Sequence, residues 1–542
     1  MRRLAYTCCA ALVFTLTGVG RPASAAPARL LSKIPTNSRL VVYFKSIRGF
    51  DEAIRTMRRT AGGEQQWQDN VTLLRQAFAS MGLTGAVDLN GSLLIVVPGN
   101  SIGVALNDVP SIFILPIRHR KSFINATQGR PAKNGVYRGE INHFDVGMPH
   151  REKFVFQFSG HHVICAKNAK VLATFEHATA WLKPTQVTGT AGGRSPALAM
   201  RLNMNQEAFE LRTGLTAAIG MRMQFVGPAP KPDPKTIEWD HFLDRLISQT
   251  QALALTLNIR HGAMLDRVQL SAKPGSQLAE LIAAQRTLSV KAAGSLPMHH
   301  YMTALMEAVN WRAVGDYLAP NFGHYVKTQS AKYGKTARKK IWRFPWLLNH
   351  SISGALVMRG EGSRHTRTTT CTLAHMDSRI DMSAMRAHVQ ELIHFLPSGA
   401  SDGITIGATG PNGLNIKFSK SGAGGGAYLI NKVGGRRVLM APADAFKRLA
   451  GRMERNRSAV PEIPARLLRT MKRYLPANVI AIDITSAKAG EMGEPKAAAG
   501  ALAFPVHHRP TIVAVSRSGS RLEMIFFVPL NMLRRINPLL PF

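Results

Sequence analysis

The sequence predicts an α+β fold of two duplicated domains, each a mainly antiparallel sheet with helices packed on one side. Three observations predict it. Strand-like apolar runs and helical apolar spacing are mixed along the 542 residues. Successive strands are separated by short turns, the connection typical of antiparallel strands. Units of strand, turn, strand and helix recur in both halves, which favours two large domains over a short-period solenoid.

The predicted strands and helices of the first half of the chain follow in sequence order. Residues 40–44 (LVVYF) have the pattern of a strand, and apolar residues then recur at helical spacing over 50–57 and 67–81. Gly82 is placed to end the second of these helices. The next strands are predicted at residues 92–97, 111–115, 136–139, 154–158 and 162–166, and a helix follows at 171–182.

Two segments indicate the duplication most directly. Residues 255–282 and 512–536 each contain a strand, a glycine turn, a second strand, a proline and a helix. A looser pair, residues 154–182 and 414–453, has hairpin strands that lead into a helix. Both pairs keep the same order along the chain, which is the order that a diverged duplication would leave.

The duplication sets the predicted domain bounds. The first α+β domain is expected at residues 26–290 and the second at 291–542. Each has an ordinary size for a domain with its own core.

The N-terminus has the features of a secretory signal peptide. Two arginines follow Met1, an apolar stretch covers residues 8–19, and Ala23-Ser24-Ala25 forms a small-residue cleavage site. Residues 1–25 are therefore predicted to be removed on export, which places the mature protein in the periplasm or outside the cell. No later apolar run approaches the ~20 residues of a membrane span, so no transmembrane segment is predicted.

Positive charge dominates the composition. The chain has 69 lysines and arginines against 32 acidic residues, a formal net charge of +37. Such an excess favours polyanionic partners such as nucleic acid, anionic glycans or an anionic membrane surface. The alternative is a compositional bias of the lineage, in which case the charge is merely solvated.

Cysteine usage excludes two classes of protein. Of four cysteines, only Cys165 and Cys371 remain once residues 1–25 are removed. The mature chain is therefore neither a disulfide scaffold nor a cysteine-rich metal protein. One bridge is conceivable after export, but two free thiols are expected, because distant pairs seldom meet disulfide geometry by chance.

One motif points to hydrolysis. Residues 99–103 (GNSIG) match the G-x-S-x-G pattern that surrounds the nucleophile of many serine hydrolases, with Ser101 at its centre. The pattern requires a strand before the serine and a helix after it. The strand is predicted at 93–97, but only a few residues separate the motif from Pro110 and the next strand. Ser101 is therefore predicted to lie in a loop, and no catalytic residue is assigned.

Paired histidines and glycines raise the question of a metal or a phosphate ligand. Double histidines occur at 161–162, 299–300 and 507–508, yet neither an HExxH motif nor a Cys/His ligand spacing is present. The glycine-rich residues 421–430 are followed by a strand and not by the helix of a phosphate loop. Neither a metal nor a cofactor is predicted.

Three acidic residues are close enough in sequence for acid–base chemistry. Glu238, Asp240 and Asp244 fall in the first turns of a helix that starts near Lys235. Negative charge is favourable there because of the helix dipole, so a structural role is expected.

One basic stretch is the candidate binding site. Residues 326–346 interleave cations with aromatic rings, the combination used to bind polyanions or membrane surfaces. The candidate polyanion-binding residues are Lys332, Lys335, Arg338, Lys339, Lys340, Trp342 and Arg343. The alternative is a solvated loop, because charge runs are commonly just exposed.

Two short sequence patterns resemble those of other exported proteins. Ile34-Pro35 opens a φ-Pro-x-x-x-φ-φ-φ strand, and residues 273–279 (KPGSQLA) form a turn that leads into a helix. In these patterns and in its repeated units the chain resembles large uncharacterised exported bacterial proteins. The resemblance implies a secreted protein of unknown function and carries over no catalytic residue.

Together these features favour an exported, basic, non-catalytic binding or envelope-associated protein. Anionic polymers or an anionic membrane surface are the expected partners. Two alternatives stay open: an extracytoplasmic hydrolase of unrecognised type, and a carrier that holds apolar ligands between sheet and helices.

Overall fold

A computed structural model describes residues 34–62, 73–99, 111–145, 148–176, 180–188, 196–204, 234–260, 263–289, 303–318, 320, 356–364, 367–375, 382–393, 404–410, 412–418, 426–433, 436–454, 475–485 and 511–530. Within this part of the chain, none of the helices combines the length and apolar character needed to cross a bilayer.

The chain divides into two compact units. Unit 1 comprises Met1–Leu211, Thr250–Ser271 and Ile525–Phe542, and unit 2 comprises Arg212–Gln249 and Ala272–Met524. Each unit therefore contains more than one segment of the chain, whereas the sequence suggested one continuous segment for each domain.

Unit 1 is built on an antiparallel sheet. Its strands are β1 (Leu40–Phe44), β2 (Leu93–Val97), β3 (Ile112–Pro116), β4 (Arg130–Pro131), β5 (Tyr137–Asp145), β6 (Met148–Ser159), β7 (His162–Ala166), β8 (Leu198–Asn203), β9 (Thr250–Arg260) and β10 (Ala263–Ala272). They lie side by side in the order β4-β5-β6-β7-β3-β2-β1-β8-β9-β10. The pairings from β4 to β9 are all antiparallel.

Helices cover both faces of this sheet. They are α1 (Ile47–Gly62), α2 (Leu73–Ser80), α3 (Arg120–Ala126), α4 (Ala169–Glu176) and α5 (Pro184–Thr188). The first face carries Val42 and Phe113 and packs against α1, α2 and α3, whereas the second face carries Val41 and Leu94 and packs against α4 and α5.

The prediction of helices on one side is therefore wrong for unit 1. Strands β1, β2 and β3 are apolar at consecutive positions, and adjacent residues such as Val41 and Val42 are both buried. A strand with no polar alternation is one that is buried on both faces, so it needs a cover on each.

Unit 2 is also built on an antiparallel sheet. Its strands are β11 (Leu288–Ser289), β12 (Thr303–Glu307), β13 (Leu356–Arg364), β14 (Arg367–His375), β15 (Ile404–Ala408), β16 (Gly413–Phe418), β17 (Gly426–Lys432), β18 (Arg437–Pro442), β19 (Asn478–Val479), β20 (Ala481–Thr485) and β21 (Thr511–Ser518), and β22 (Arg521–Pro529) begins in it. The main sheet has the order β15-β16-β17-β18-β14-β13-β12-β20-β21. Its helices are α6 (Pro234–Gln249), α7 (Gln277–Ala284), α8 (Trp311–Leu318), α9 (Met382–Ile393) and α10 (Ala443–Glu454).

The two sheets share one order of strands. Strands β12, β13 and β14 occupy the places of β1, β2 and β3, strands β15 to β18 those of β4 to β7, and strands β20 and β21 those of β8 and β9. Helix α9 follows β14 as α3 follows β3, and α10 follows β18 as α4 follows β7. A position in one sheet therefore has a counterpart in the other.

The α+β class and the mainly antiparallel sheet are confirmed, and so is the end of α2. Gly82 has a φ of 71°, a value that glycine adopts without strain, and the N–H of Leu83 donates to the carbonyl of Phe78 across this turn. The helix predicted at 171–182 is shorter, because α4 ends at Glu176 and Trp181 pairs as an isolated bridge with Pro35.

Candidate anion-binding face

Most of the candidate residues from the sequence lie outside the described residues. This holds for all seven members of the basic stretch, Lys332, Lys335, Arg338, Lys339, Lys340, Trp342 and Arg343, and for Ser101. Strand β2 before Ser101 is confirmed. Of the double histidines, only His161 and His162 are described. His161 lies in a turn and His162 opens β7.

The remaining candidates have the structural positions expected of them. Glu238, Asp240 and Asp244 lie in α6, as predicted. Residues 426–432 of the glycine-rich segment form strand β17. Among the residues that the structure describes, there is no group of three or more His, Cys, Asp or Glu side chains that could hold a metal ion.

A basic surface occurs instead at the β4 edge of unit 1. Phe154, Phe156 and Phe158 of β6 pack on the first face of the sheet. Since side chains alternate along a strand, Arg151 and Lys153 lie on the second face. Lysine and arginine at every second position of a strand leave their charges on one surface.

Strand pairing adds two more arginines to this surface. Arg138 of β5 lies directly opposite Val155 of β6, and Arg130 of β4 lies opposite Arg138. Residues directly opposite each other on antiparallel strands share a face. We call Arg130, Arg138, Arg151 and Lys153 the basic edge face, and all four side chains are exposed.

One carboxylate lies among these cations. Glu140 is directly opposite Lys153, and its Oε2 is 3.8 Å from Nη1 of Arg151. The same Nη1 donates a hydrogen bond of 3.5 Å to Oε1 of Gln128. The Arg151 side chain is 61% exposed, so water screens this ion pair and its contribution is small. The face keeps a clear positive excess.

The described part of the counterpart surface in unit 2 carries fewer cations. Leu414 and Ile416 of β16 belong to the core on the α9 side, so Asn415 and Lys417 lie on the other face. Lys417 is opposite Thr405 and Ala427, and Asn415 is opposite Leu429. Among the residues that the structure describes on β15, β16 and β17, this face therefore carries one cation, Lys417. The arrangement of strands does not itself require a basic surface at this edge.

Two of the four residues of the basic edge face, Arg151 and Lys153, could be placed together from the sequence alone. Residues 151–158 (REKFVFQF) alternate between phenylalanine and other residues, which identifies a strand with one apolar face and places Arg151 and Lys153 together. Nothing local brings Arg130 and Arg138 to the same surface, because that depends on the pairing of β4 with β5 and of β5 with β6.

Both described cysteines are buried free thiols, as expected. Cys165 lies in the first-face core of unit 1, and Cys371 lies in β14. Burial raises the pKa of the Cys165 thiol far above its ordinary value and that of Cys371 to about 12. Neither thiol is therefore ionised at neutral pH, and a thiol is a weak nucleophile.

Thiol titration checks these two sites. In a chain that lacks residues 1–25, we expect two thiols to react with an aromatic disulfide reagent after denaturation. In the native protein at pH 8 the reaction should be at least about tenfold slower, because the thiolate is scarce and the sulfur is covered. A count of zero after denaturation would mean that the two cysteines are bridged.

No family model, curated protein or solved structure matches the chain. Among the residues that the structure describes, the basic edge face brings four cationic side chains to one exposed surface.

Proposed function

We propose that this chain is an exported, non-catalytic protein that binds anionic polymers through the basic edge face. The observation that carries the proposal is the concentration of Arg130, Arg138, Arg151 and Lys153 on one exposed surface of unit 1. On the described residues of the counterpart strands in unit 2 this face carries only Lys417, which argues against a general compositional bias, because that bias would act on both units alike.

The geometry suits a ligand with repeating charges. Neighbouring strands lie about 4.8 Å apart, and alternate residues on one strand about 6.8 Å apart. Arg130 and Arg138 are therefore separated by one strand spacing, Arg151 and Lys153 by one step along β6, and Lys153 is diagonal to Arg138. Paired strands hold these four positions, so little backbone entropy is lost when a polymer binds. Each contact with a phosphate or sulfate group releases condensed counterions, which makes the affinity depend on salt.

Export rests on the sequence of residues 1–25, which has the charged start, apolar stretch and small-residue site of a signal peptide. An exported protein with this surface would meet envelope polymers and glycans. We also infer that the two units arose by duplication. The repeated order of strands supports this, and so do the segments 154–182 and 414–453, which fall on corresponding strands and helices.

Fluorescence anisotropy with a labelled DNA duplex, used as a probe with repeating phosphates, tests the binding proposal. Replacing Arg130, Arg138, Arg151 and Lys153 with glutamine should weaken binding at least about tenfold at low salt. The slope of log affinity against log salt should fall by about 3 to 4, because each lost phosphate contact removes about 0.9.

The matched control removes the same charge elsewhere in unit 1. Arg48 of α1, Arg75 of α2, and Arg120 and Lys121 of α3 are exposed and belong to helices that cover the first face. Their replacement by glutamine should change affinity less than about threefold. A third variant, with Lys335, Arg338, Lys339 and Lys340 replaced, tests the basic stretch from the sequence. Equal losses in all three variants would show that net charge alone is responsible. Binding to vesicles with anionic lipid, but not to DNA, would replace the polymer with a membrane surface.

A further inference from the structure

Three arginines are buried within unit 1. Arg39, Arg201 and Arg267 are 4%, 8% and 7% exposed, respectively. Arginine is rarely buried to this degree, because removing a guanidinium from water costs free energy that only well-placed partners recover. Their positions in the sheet therefore need an explanation.

Strand pairing brings Arg39 and Arg201 to the same face. Arg201 of β8 is directly opposite Val41 of β1, whose side chain belongs to the second-face core. Arg39 immediately precedes β1 and accepts a hydrogen bond of 2.7 Å at its carbonyl from the N–H of Asn203. Asn203 is two residues from Arg201, so all three side chains share the second face.

The third arginine reaches this face from β10. Met264 packs in the first-face core, so Arg267, three residues on, lies on the second face. Strand β10 is the second neighbour of β8 in the sheet, about 10 Å away at the usual spacing. The long arginine side chains can span that distance from both sides.

Small residues lie between the arginines. Ala254 of β9 is directly opposite Arg201, and Ala252 is opposite Asn203. Thr256 lies on the same strand face and is 3% exposed. Alanines leave the space above the strand to their longer neighbours, while Asn203 and Thr256 add neutral hydrogen-bonding groups. We call Arg39, Arg201, Arg267, Asn203 and Thr256 the arginine site.

The described counterparts of Arg201 and Thr256 in unit 2 are apolar. Val438 of β18 belongs to the core on the α9 side. Successive strand pairings place four further residues on the same face of the sheet: Ala374, Val357, Glu307 and Ala481. The other face of β12, β20 and β21 therefore carries the intervening residues. These are Met306, Ile482, Ile484, Ile512 and Ala514, all at most 1% exposed. An isoleucine, Ile484, therefore lies at the position that Arg201 has in unit 1, so the arrangement of strands does not itself require a guanidinium there.

We propose that the arginine site binds the phosphate group of a small molecule, or inorganic phosphate itself. A phosphate carries nearly two negative charges at neutral pH and presents acceptor oxygens in several directions, which suits donors that arrive from three strands. Each arginine already interacts with other groups of the chain. A guanidinium has five N–H donors, so it can keep such a contact and still bind an anion.

The arginine site differs from the basic edge face in both position and ligand. The edge face is exposed and suits a polymer, whereas the arginine site is buried and therefore suits a small group rather than a polymer. The two proposals therefore succeed or fail independently.

Isothermal titration calorimetry with inorganic phosphate tests the site, with ionic strength held constant by chloride. The full chain without residues 1–25 should bind one phosphate saturably, and its melting temperature should rise with phosphate concentration. Arg201→Met should reduce the affinity at least about tenfold, because it removes a charged donor. The variant should still fold, since Ile484 occupies the corresponding position in unit 2.

Two further arms complete the test. Arg138→Met, on the basic edge face, should leave phosphate binding unchanged. Tighter binding of glycerol phosphate than of inorganic phosphate would identify an ester as the ligand, and the reverse order would identify free phosphate. The proposal is overturned if the unmodified chain shows no saturable phosphate binding, whether or not Arg201→Met folds. It is equally overturned if a folded Arg201→Met chain binds phosphate as tightly as the unmodified one.

Discussion

Replacing Asp266 with asparagine is expected to stabilise the protein strongly at pH 9 and to change its stability little at pH 4. Asp266 lies in β10 and is 7% exposed. It shares the first face with Met264, which packs in the core of unit 1. Its Oδ1 has no hydrogen-bond partner among the described residues. Burial raises the pKa of this carboxyl to about 8.

The direction of the pH effect follows from the ionisation of Asp266 in the unfolded and the folded chain. In the unfolded chain an aspartate ionises near its ordinary pKa of about 3.9. Between that value and about 8, the folded protein retains a proton that the unfolded chain releases. The contribution of Asp266 to stability is therefore most favourable below about pH 4, declines as the pH rises and levels off above about pH 8. A pKa difference of this size corresponds to about 5 kcal/mol.

Urea unfolding at pH 4, 6 and 9 measures the effect. The unmodified chain should lose stability steadily across this series, and Asp266→Asn should lose several kcal/mol less. Glu52→Gln is the matched control, because Glu52 is exposed on α1 and its replacement should leave the pH dependence of the unmodified chain intact. If the curves of the unmodified chain and Asp266→Asn run parallel from pH 4 to pH 9, Asp266 is not the buried acid described above.

Phe156→Ala should be among the most destabilising single substitutions in unit 1. Phe156 is fully buried, and its ring lies 5.2 Å from that of Phe123 and 5.3 Å from that of Tyr137, centroid to centroid. It joins β6 to α3 and β5. Removing a buried phenylalanine ring costs about 3–5 kcal/mol through lost apolar burial and the cavity left behind.

Chemical denaturation of the unmodified chain and Phe156→Ala provides the comparison. Phe156→Leu should cost clearly less, because most of the volume is retained. Trp181→Ala controls for the loss of an aromatic ring as such. Trp181 is 40% exposed, so its removal should leave a smaller cavity and cost less than that of the fully buried Phe156. Similar losses for Phe156→Ala and Trp181→Ala would contradict the central place of Phe156 in this core.

The strands and helices of unit 1 show which features of the fold can be predicted from local sequence patterns. The sequence located β1 and β2 and placed the end of α2 at Gly82 because those features depend on neighbouring residues. The expectation of helices on one side was wrong, because the consecutive apolar residues of β1 to β3 require burial on both faces of the sheet. That information was present in the sequence.

By itself the sequence determined the class of fold, most of the strands, the excess of positive charge and the alternation that puts Arg151 beside Lys153. Only the tertiary structure decided that β3 pairs with β7, that β1 lies between β2 and β8, and that Arg130 meets Arg138. It also decided that Arg39 and Arg201 share a buried face. Side-chain alternation is set by backbone geometry and can be read along a few residues. Which strands become neighbours depends on how all the apolar faces are buried together, and no short stretch of sequence contains that information.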